Sequence, residues 1–151
     1  MASLAFEMLD RPVVDGRGEE IACSDDTGSL TYARLLERSA AMDGGLRVLG
    51  VRPGDEVAVS VPADNLQVVI VCACVRIGAV PGGRGEVRIE GKDGNVSVHM
   101  GVHDLDLSVI MKAGAADPAP ARADDPPGYA DQVRDAFEDV IESLLAGATI
   151  T

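Results

Sequence analysis

The sequence has 151 residues, of which 46% are hydrophobic, and it carries a formal net charge of −12. A chain of this length can bury one core, or two small modules that lean on one another. The strong negative charge disfavours nucleic acid and anionic membrane surfaces as partners, because their phosphate groups would repel it. With 3% aromatic residues and no Trp, the chain also offers little surface for base stacking.

The sequence contains neither a run of the length needed to span a bilayer nor a basic-then-apolar N-terminus. We therefore expect no membrane segment and no signal peptide, and we expect a cytoplasmic protein. Three cysteines, Cys23, Cys72 and Cys74, are too few for a secreted disulfide framework, and their number is odd.

The first 28 residues predict short elements. Residues 2–9 can form a helical turn that ends before Arg11 and Pro12. Residues 20–24 favour a short strand, and residues 25–28 have the composition of a tight turn.

A long amphipathic helix is predicted next. Thr31 is a suitable N-cap, and apolar residues then recur at helical spacing until Gly50 supplies a C-terminal stop. Gly44 and Gly45 lie inside this helix at a cost in helix propensity of about 1 kcal/mol each. We interpret them as the place where a neighbouring element packs closely.

A buried strand and a second helix follow. Residues 56–61 are rich in Val and are bounded by Pro62, which is typical of a buried strand. Asp64 or Asn65 can cap the following helix, residues 66–77, which is apolar on nearly every side. Such a helix is expected to be enclosed by other elements.

This region contains the motifs LTY at the start of the first helix, GVRPGDEVAV leading into the strand and GAVP after the second helix. With these motifs it resembles the beginning of the adenylate-forming superfamily. That superfamily includes acyl-CoA synthetases, nonribosomal adenylation domains and luciferases. The resemblance covers about residues 20–81 and implies an α/β fold with an N-terminal helix-strand-helix fragment of the adenylate-forming scaffold.

The sequence departs from the family pattern in its chemistry. Arg34 stands where the family usually has an acidic residue. The phosphate loop ending in Lys, the aromatic-acidic segment that holds adenine and the catalytic Lys of the mobile domain have no counterpart in the sequence. The resemblance thus implies a scaffold without a nucleotide cofactor, and we do not expect ligase activity.

The two cysteines of the second helix are predicted to be core residues. Residues two apart on a helix point about 200° away from one another, so Cys72 and Cys74 cannot share an ion or a disulfide. Both are more readily explained as small apolar side chains, and we predict no metal.

Past Pro81 the sequence predicts a second module. Residues 82–85 read Gly-Gly-Arg-Gly, which indicates a hinge rather than a phosphate loop, since no Lys-Ser/Thr follows. Residues 86–100 alternate polar and apolar around an Asp93-Gly94 turn, which predicts a β-hairpin. The alternation then shifts, so we expect a break near His103 and Asp104 and a third strand over residues 105–111.

The C-terminal part predicts a linker and a helix. Residues 113–128 are mainly Ala, Pro and Asp and favour an extended linker. Residues 129–147 have the spacing of an amphipathic helix that packs on the sheet, with an acidic outer face that is solvated or meets a basic partner. The predicted units are therefore residues 1–81, 82–112, 113–128 and 129–147.

Residues 85–147 also resemble, more loosely, the C-terminal end of the glucose-fructose oxidoreductase-like family of NAD(P)-dependent sugar dehydrogenases. The shared pattern is a strand-turn-strand, an acidic, Pro-containing linker and a terminal helix that begins with Tyr129. The nucleotide-binding glycines and the catalytic Lys of that family lie in an earlier part of its chain that has no counterpart in this sequence. This resemblance again implies scaffold without cofactor.

The densest polar cluster, which we take as the candidate catalytic group, contains His99, His103, Asp104 and Asp106. Four residues apart in one strand, the two histidines would be about 13 Å apart, too far to share a metal ion. Either these side chains are solvated or in a turn, or one of them, His103 or Asp104, acts as a general acid or base in a small cavity.

Three classes of function remain open at this level. The first is a non-catalytic interaction or assembly module of a biosynthetic pathway, forming a homodimer or binding a protein partner. The second is a small-molecule cyclase, isomerase or dehydratase that uses His99, His103 and nearby carboxylates. The third is a passive carrier with an apolar pocket lined by residues 66–77 and the sheet.

Overall fold

The computed structural model describes residues 3–92, 94–117 and 124–151, and within these ranges it is an α/β protein with two sheets and five α-helices. The α-helices are α1 (Arg11–Val14), α2 (Tyr32–Val48), α3 (Asn65–Ile77), α4 (Leu107–Ala116) and α5 (Tyr129–Leu145). The strands are β1 (Ile21–Asp25), β2 (Gly28–Thr31), β3 (Glu56–Ser60), β4 (Val80–Gly82), β5 (Val87–Lys92), β6 (Asn95–Met100) and β7 (His103–Asp106).

The N-terminal helical turn is longer than predicted. A π-helical segment, Phe6–Asp10, continues directly into α1 and therefore passes the predicted stop at Pro12. Pro12 lies where the π-helical segment passes into α1, in the first turn of α1.

The predicted helix-strand-helix unit is confirmed, together with its end signals. The Thr31 side chain accepts a hydrogen bond from the backbone N–H of Arg34 at 3.1 Å and so caps α2. Asp64, one of the two predicted caps, accepts one from the backbone N–H of Gln67 at 3.0 Å at the start of α3. Gly78 ends α3 with a φ of 90°, a conformation that favours glycine.

The larger sheet joins the two parts of the chain. Its strand order is β4-β3-β5-β6-β7. Strand β3 pairs in parallel with β4 on one side and with β5 on the other, whereas β5, β6 and β7 form the predicted antiparallel pairs. The predicted hinge at residues 82–85 thus connects two strands of one mixed sheet. Asp93, at the predicted hairpin turn, lies outside the described residues.

The predicted third strand over residues 105–111 was wrong beyond Asp106. The chain turns at residues 101–102, and β7 is followed at once by α4. Asp106 caps this helix by accepting a hydrogen bond from the Ser108 backbone N–H at 2.9 Å. The helix also replaces the first part of the predicted linker, residues 113–116, while residues 118–123 of that linker lie outside the described residues.

Helices α2 and α4 pack with their backbones nearly in contact, through glycines on both sides. A Cβ atom at Gly44 would lie 3.0 Å from the Cα of Gly114, and one at Gly45 would overlap the carbonyl group of Ile110. The interpretation of Gly44 and Gly45 as a close-packing point is therefore confirmed, and α4 is the neighbouring element.

Helix α3 lies at the centre of the core, as its apolar sequence predicts. Cys72 and Cys74 are both 0% exposed, and the structure gives them as free thiols. Burial raises the pKa of Cys74 to about 12, so the thiolate is disfavoured there. Among the described residues, no helix combines the length and apolar character needed to cross a bilayer.

The C-terminal segment, which we define as residues 124–151, fastens onto the N-terminal part of the fold. The Tyr129 hydroxyl at the start of α5 donates to the carbonyl oxygen of Ala79 at 2.5 Å. After α5, the tail pairs with β1: Ile150 N–H donates to Ala22 O at 2.9 Å, and Ser24 N–H donates to Ile150 O at 2.8 Å. The sequence pattern did not predict this pairing.

We expect Tyr32→Phe to loosen the tail without changing the fold. Tyr32 is 0% exposed, and its hydroxyl donates to the carbonyl oxygen of Ala148 at 2.8 Å. Loss of this bond should lower the free energy of unfolding by about 1 kcal/mol. It should also speed amide hydrogen exchange at Ser24, whose N–H depends on the docked tail. Unchanged exchange at Ser24 in the variant would contradict this role for Tyr32.

Candidate functional site

Part of the candidate group lies on the solvent-facing side of the larger sheet. His99 on β6 is the register partner of Asp104 on β7, and its Nδ1 atom contacts the Asp104 carboxylate. The other ring nitrogen, Nε2, lies 3.4 Å from a carboxylate oxygen of Glu90 on β5. We call these three residues the His99 cluster. It arises from strand register, since its members sit on three adjacent strands.

His103 does not join this cluster. It lies at the start of β7, is exposed, and has Met100 as its register partner. Because neighbouring residues of a strand point to opposite faces, His103 and Asp104 project on different sides of the sheet. The two side chains therefore do not share one face of the sheet.

Asp106 caps the N-terminus of α4. Its carboxylate accepts hydrogen bonds from the backbone N–H of Ser108 at 2.9 Å and from the Ser108 hydroxyl at 2.7 Å. These bonds, the one from the hydroxyl foremost, hold the pKa of Asp106 below its usual range. A carboxylate that stays ionised and caps a helix is suited to stabilising α4 rather than to proton transfer.

The His99 cluster is poorly placed to exchange a proton with a substrate. Both ring nitrogens of His99 face carboxylates, so a substrate would have to displace Glu90 before Nε2 could exchange a proton with it. Glu90 is in turn paired with Arg88 at 3.1 Å. Within the described ranges, no group of three or more His, Cys, Asp or Glu residues is arranged to hold a metal ion. An acid-base role for His99, His103 and Asp104 stays a prediction.

A buried ion cluster that the sequence analysis missed lies between α2 and α3. The Asp43 side chain is fully buried and lies 2.6 Å from the Arg47 guanidinium and 3.4 Å from that of Arg76. Burial raises the pKa of Asp43, and the two arginines oppose that shift. One signal was available: Asp43 stands beside Met42 on the apolar side of α2, and Arg76 interrupts the apolar run of α3.

A cavity of about 680 Å³ opens beside the N-terminus of α3, α5 and the tail. Its acidic lining residues are Asp64, Asp135, Glu138 and Asp139. This cavity is not the apolar carrier pocket predicted along residues 66–77. Only the first turn of α3 lines it, and the remainder of that helix is buried against other parts of the protein. The N-terminus of α3 is not an anion site either: Asn65 N–H donates to Asp25 and Gln67 N–H to Asp64.

Comparison with known proteins shows what the N-terminal part of the chain is similar to. Residues 10–83 match the family model described as AMP-binding enzyme. The acetyl-coenzyme A synthetase of Streptomyces coelicolor is 35% identical over 82 residues, which is 51% of this chain and 13% of that protein. The chain therefore spans about one-eighth of the length of such curated relatives.

Solved structures show the same fold for this part of the chain. Apo MatB from Rhodopseudomonas palustris superposes with a TM-score of 0.50 and 24% identity, over 56% of this chain and 17% of that one. The N-terminal subdomain of Klebsiella oxytoca NpsA, solved in complex with anthranilyl-AMSN, superposes with a TM-score of 0.50 and 20% identity, over 56% and 21%.

The family match ends at residue 83, so the looser resemblance of residues 85–147 to sugar dehydrogenases stays a prediction. The matched residues contain β1, α2, β3 and α3 in the order predicted for the ligase-type scaffold. Residues 10–83 are therefore similar to the corresponding part of the adenylate-forming superfamily of AMP-binding enzymes.

Proposed function

We propose that this chain is a non-catalytic assembly module built on a segment of the adenylate-forming scaffold. The observation that carries the proposal is the position of the C-terminal segment, which lies outside the residues matched by the family model. Its Tyr129 bonds to Ala79 after α3, and its Ile150 pairs with β1. The family-type elements are thus covered by residues of the same chain, as expected for a module whose folding does not depend on a bound nucleotide.

The distribution of charge and burial supports the same proposal. The His99 cluster lies on an open sheet face, and both nitrogens of its imidazole already face carboxylates. The buried groups Asp43, Cys72 and Cys74 pack within the core. Cys23 is buried beside the cavity of about 680 Å³, and burial raises the pKa of its thiol to about 11, so the nucleophilic thiolate is disfavoured there. We propose that the partner of the module is a protein, either a second copy of the chain or another component of a biosynthetic assembly in the cytoplasm.

ATP-pyrophosphate exchange tests the non-catalytic part of this proposal. The protein, incubated with ATP, labelled pyrophosphate and a panel of short-chain and aromatic carboxylic acids, should give exchange no higher than the reaction without protein. An acetyl-coenzyme A synthetase assayed in parallel serves as the positive control. Exchange above background that depends on one of the acids would overturn the proposal, because it requires formation of an acyl adenylate.

A further inference from the structure

The larger sheet ends at β7. In the strand order β4-β3-β5-β6-β7, the edge strand β4 packs against α5, whereas the outer side of β7 carries no further strand among the described residues. Three of the four residues of β7 are exposed. An uncovered strand edge presents backbone N–H and C=O groups that can pair with another extended chain.

The hairpin that precedes β7 determines which backbone groups face outward. Met100 and His103 are paired across the two-residue turn at residues 101–102, so they form the closing hydrogen-bonded pair. Hydrogen-bonded and non-hydrogen-bonded pairs then alternate, which directs the N–H groups of Asp104 and Asp106 away from β6. The C=O group of Asp104 points outward as well. Asp106 is the N-cap of α4, so its C=O group lies at the start of that helix.

The side chains on this edge argue against pairing with a second copy. In an antiparallel pair of two β7 strands related by a two-fold axis, Asp104 would stand opposite Asp104 or Asp106 of the other copy. Like charges directly opposite one another destabilise a strand pair. The neighbouring Glu90 and the overall charge of −12 add to the repulsion.

The same side chains favour a cationic strand. Opposite charges across a strand pair are stabilising, and Asp104 and Asp106 lie on one face at the spacing of alternate residues. Two large apolar side chains close to β7 in the sequence are exposed: Val102, just before β7, is 92% exposed, and Val109, three residues after β7 in α4, is 54% exposed. They offer apolar contacts at both ends of the charged stretch.

From this combination of an open strand edge, alternating carboxylates and flanking valines, we propose that β7 is the docking site of the assembly module for a partner protein. The partner contributes an extended segment with Lys or Arg at alternate positions, which adds to the sheet as a sixth strand beside β7. This inference deepens the proposed function and rests on it.

Peptides of equal length with blocked termini test the docking site. The probe is a short peptide of alternating Lys and Val, and binding is followed by amide chemical shifts and hydrogen exchange of the full chain. We expect slowed exchange at Asp104 and Asp106 and weaker binding at higher salt. Three control peptides keep the length: one with Glu in place of Lys, one with the Lys and Val residues in two blocks, and one with N-methyl groups on alternate amides.

Substitutions in β7 separate charge from pairing. Asp104→Ser and Asp106→Ser each remove one carboxylate, and Ser at position 106 keeps a residue that can cap α4. Each should weaken binding roughly two- to five-fold, in line with the worth of one cross-strand charge pair. Asp139→Ser, which removes an exposed carboxylate on α5, should leave binding unchanged.

The outcomes distinguish strand addition from simple charge attraction. The proposal is overturned if the block or the N-methylated peptide binds as well as the alternating one, if Asp139→Ser weakens binding as much as Asp104→Ser, or if exchange slows at α5 instead of β7. Absence of any binding by the alternating peptide also overturns it. None of these results alters the pyrophosphate-exchange test, so the docking site and the non-catalytic role fail separately.

Discussion

Gly114→Ala should lower the free energy of unfolding by about 3 kcal/mol, because the added methyl group has no space between α2 and α4. A Cβ atom at this position would overlap the carbonyl oxygen of Ala41 and press on the backbone of Gly45. Both obstacles are backbone atoms inside a helix, which cannot rotate away as a side chain can. The helices would have to separate, and Ile110, which is 4% exposed, would lose packing.

Intrinsic helix propensity acts in the opposite direction. Ala is more favourable than Gly in a helix interior by about 1 kcal/mol, so an isolated α4 would be stabilised by the same substitution. A net loss therefore measures the packing contact and not the helix itself. Urea denaturation, with the midpoint and the slope fitted separately, gives the required free energies.

A graded set of glycine variants makes this prediction specific. Gly45→Ala should destabilise about as much as Gly114→Ala, since its Cβ would overlap the carbonyl group of Ile110. Gly44→Ala should cost less, because its closest obstacle is the carbonyl oxygen of Asp117, beyond the end of α4, at 2.7 Å. Gly83→Ala, with no atom within 4 Å of the added Cβ, should be neutral within about 0.5 kcal/mol. Equal stability of Gly83→Ala and Gly114→Ala would contradict the close contact.

Asp43→Ala is the second substitution for which we expect a large effect, a loss of about 3–5 kcal/mol in the free energy of unfolding. Asp43 is 0% exposed, and its carboxylate stands between the guanidinium groups of Arg47 and Arg76. Its removal takes away the acceptor of the 2.6 Å hydrogen bond from Arg47 and leaves a cavity in the core. Both consequences lower stability.

An exposed ion pair on the same helix is the matched control. Glu37 contacts Arg34 at 3.0 Å, and both side chains are largely exposed. Solvent screens such a pair, so Glu37→Ala should change stability by less than about 0.5 kcal/mol. If Glu37→Ala and Asp43→Ala were equally destabilising by urea denaturation, burial would not be the source of the effect.

The protonation of Asp43 gives this prediction a pH dependence. Burial raises the pKa of Asp43 above that of the same residue in the unfolded chain. The stability that such a group contributes is complete below its unfolded pKa and is lost as the pH rises through its folded pKa. The wild-type protein should therefore gain stability relative to Asp43→Asn when the pH is lowered from neutral into the ordinary range of Asp titration.

The comparison with Asp43→Asn is needed because other carboxylates titrate with the opposite sign. Hydrogen bonds hold the pKa values of Asp25 and Asp106 below their usual range, so both destabilise the fold as they become protonated in acid. Their contributions cancel in the difference between the two proteins. If the difference in free energy of unfolding between the wild type and Asp43→Asn stayed constant with pH, or if the wild type lost stability relative to the variant in acid, the Asp43 carboxyl group would not be desolvated.

Local chemistry was sufficient to predict the first half of the fold. Thr31 and Asp64 cap helices because a side-chain oxygen can reach an N–H three residues ahead, whatever the rest of the chain does. Gly50 and Gly78 end them because glycine adopts positive φ without strain. The apolar character of α3 predicted its burial, and the same residues carried the resemblance to the adenylate-forming superfamily.

Residues 105–111 show where local pattern failed. Leu105, Leu107 and Val109 alternate as a strand would, but Leu107 and Ile110 also fit one face of a helix, and a short segment satisfies both periods. The decision came from Asp106, which caps α4, and from the fit of Gly114 against Gly45 on α2. That fit depends on two helices far apart in the sequence and is invisible to a pattern within either one.

The amino-acid sequence by itself determined the resemblance of the N-terminal part to AMP-binding enzymes, the helix caps and most of the elements, because each depends on residues within a few positions of one another. Only the tertiary structure decided which charged groups meet: the register of β6 and β7 places His99 beside Asp104, and the packing of α2 on α3 places Asp43 beside Arg76. It also decided that the tail pairs with β1 and that β7 ends the sheet. These arrangements join segments that are distant in the chain, and their geometry exists only once the core has formed.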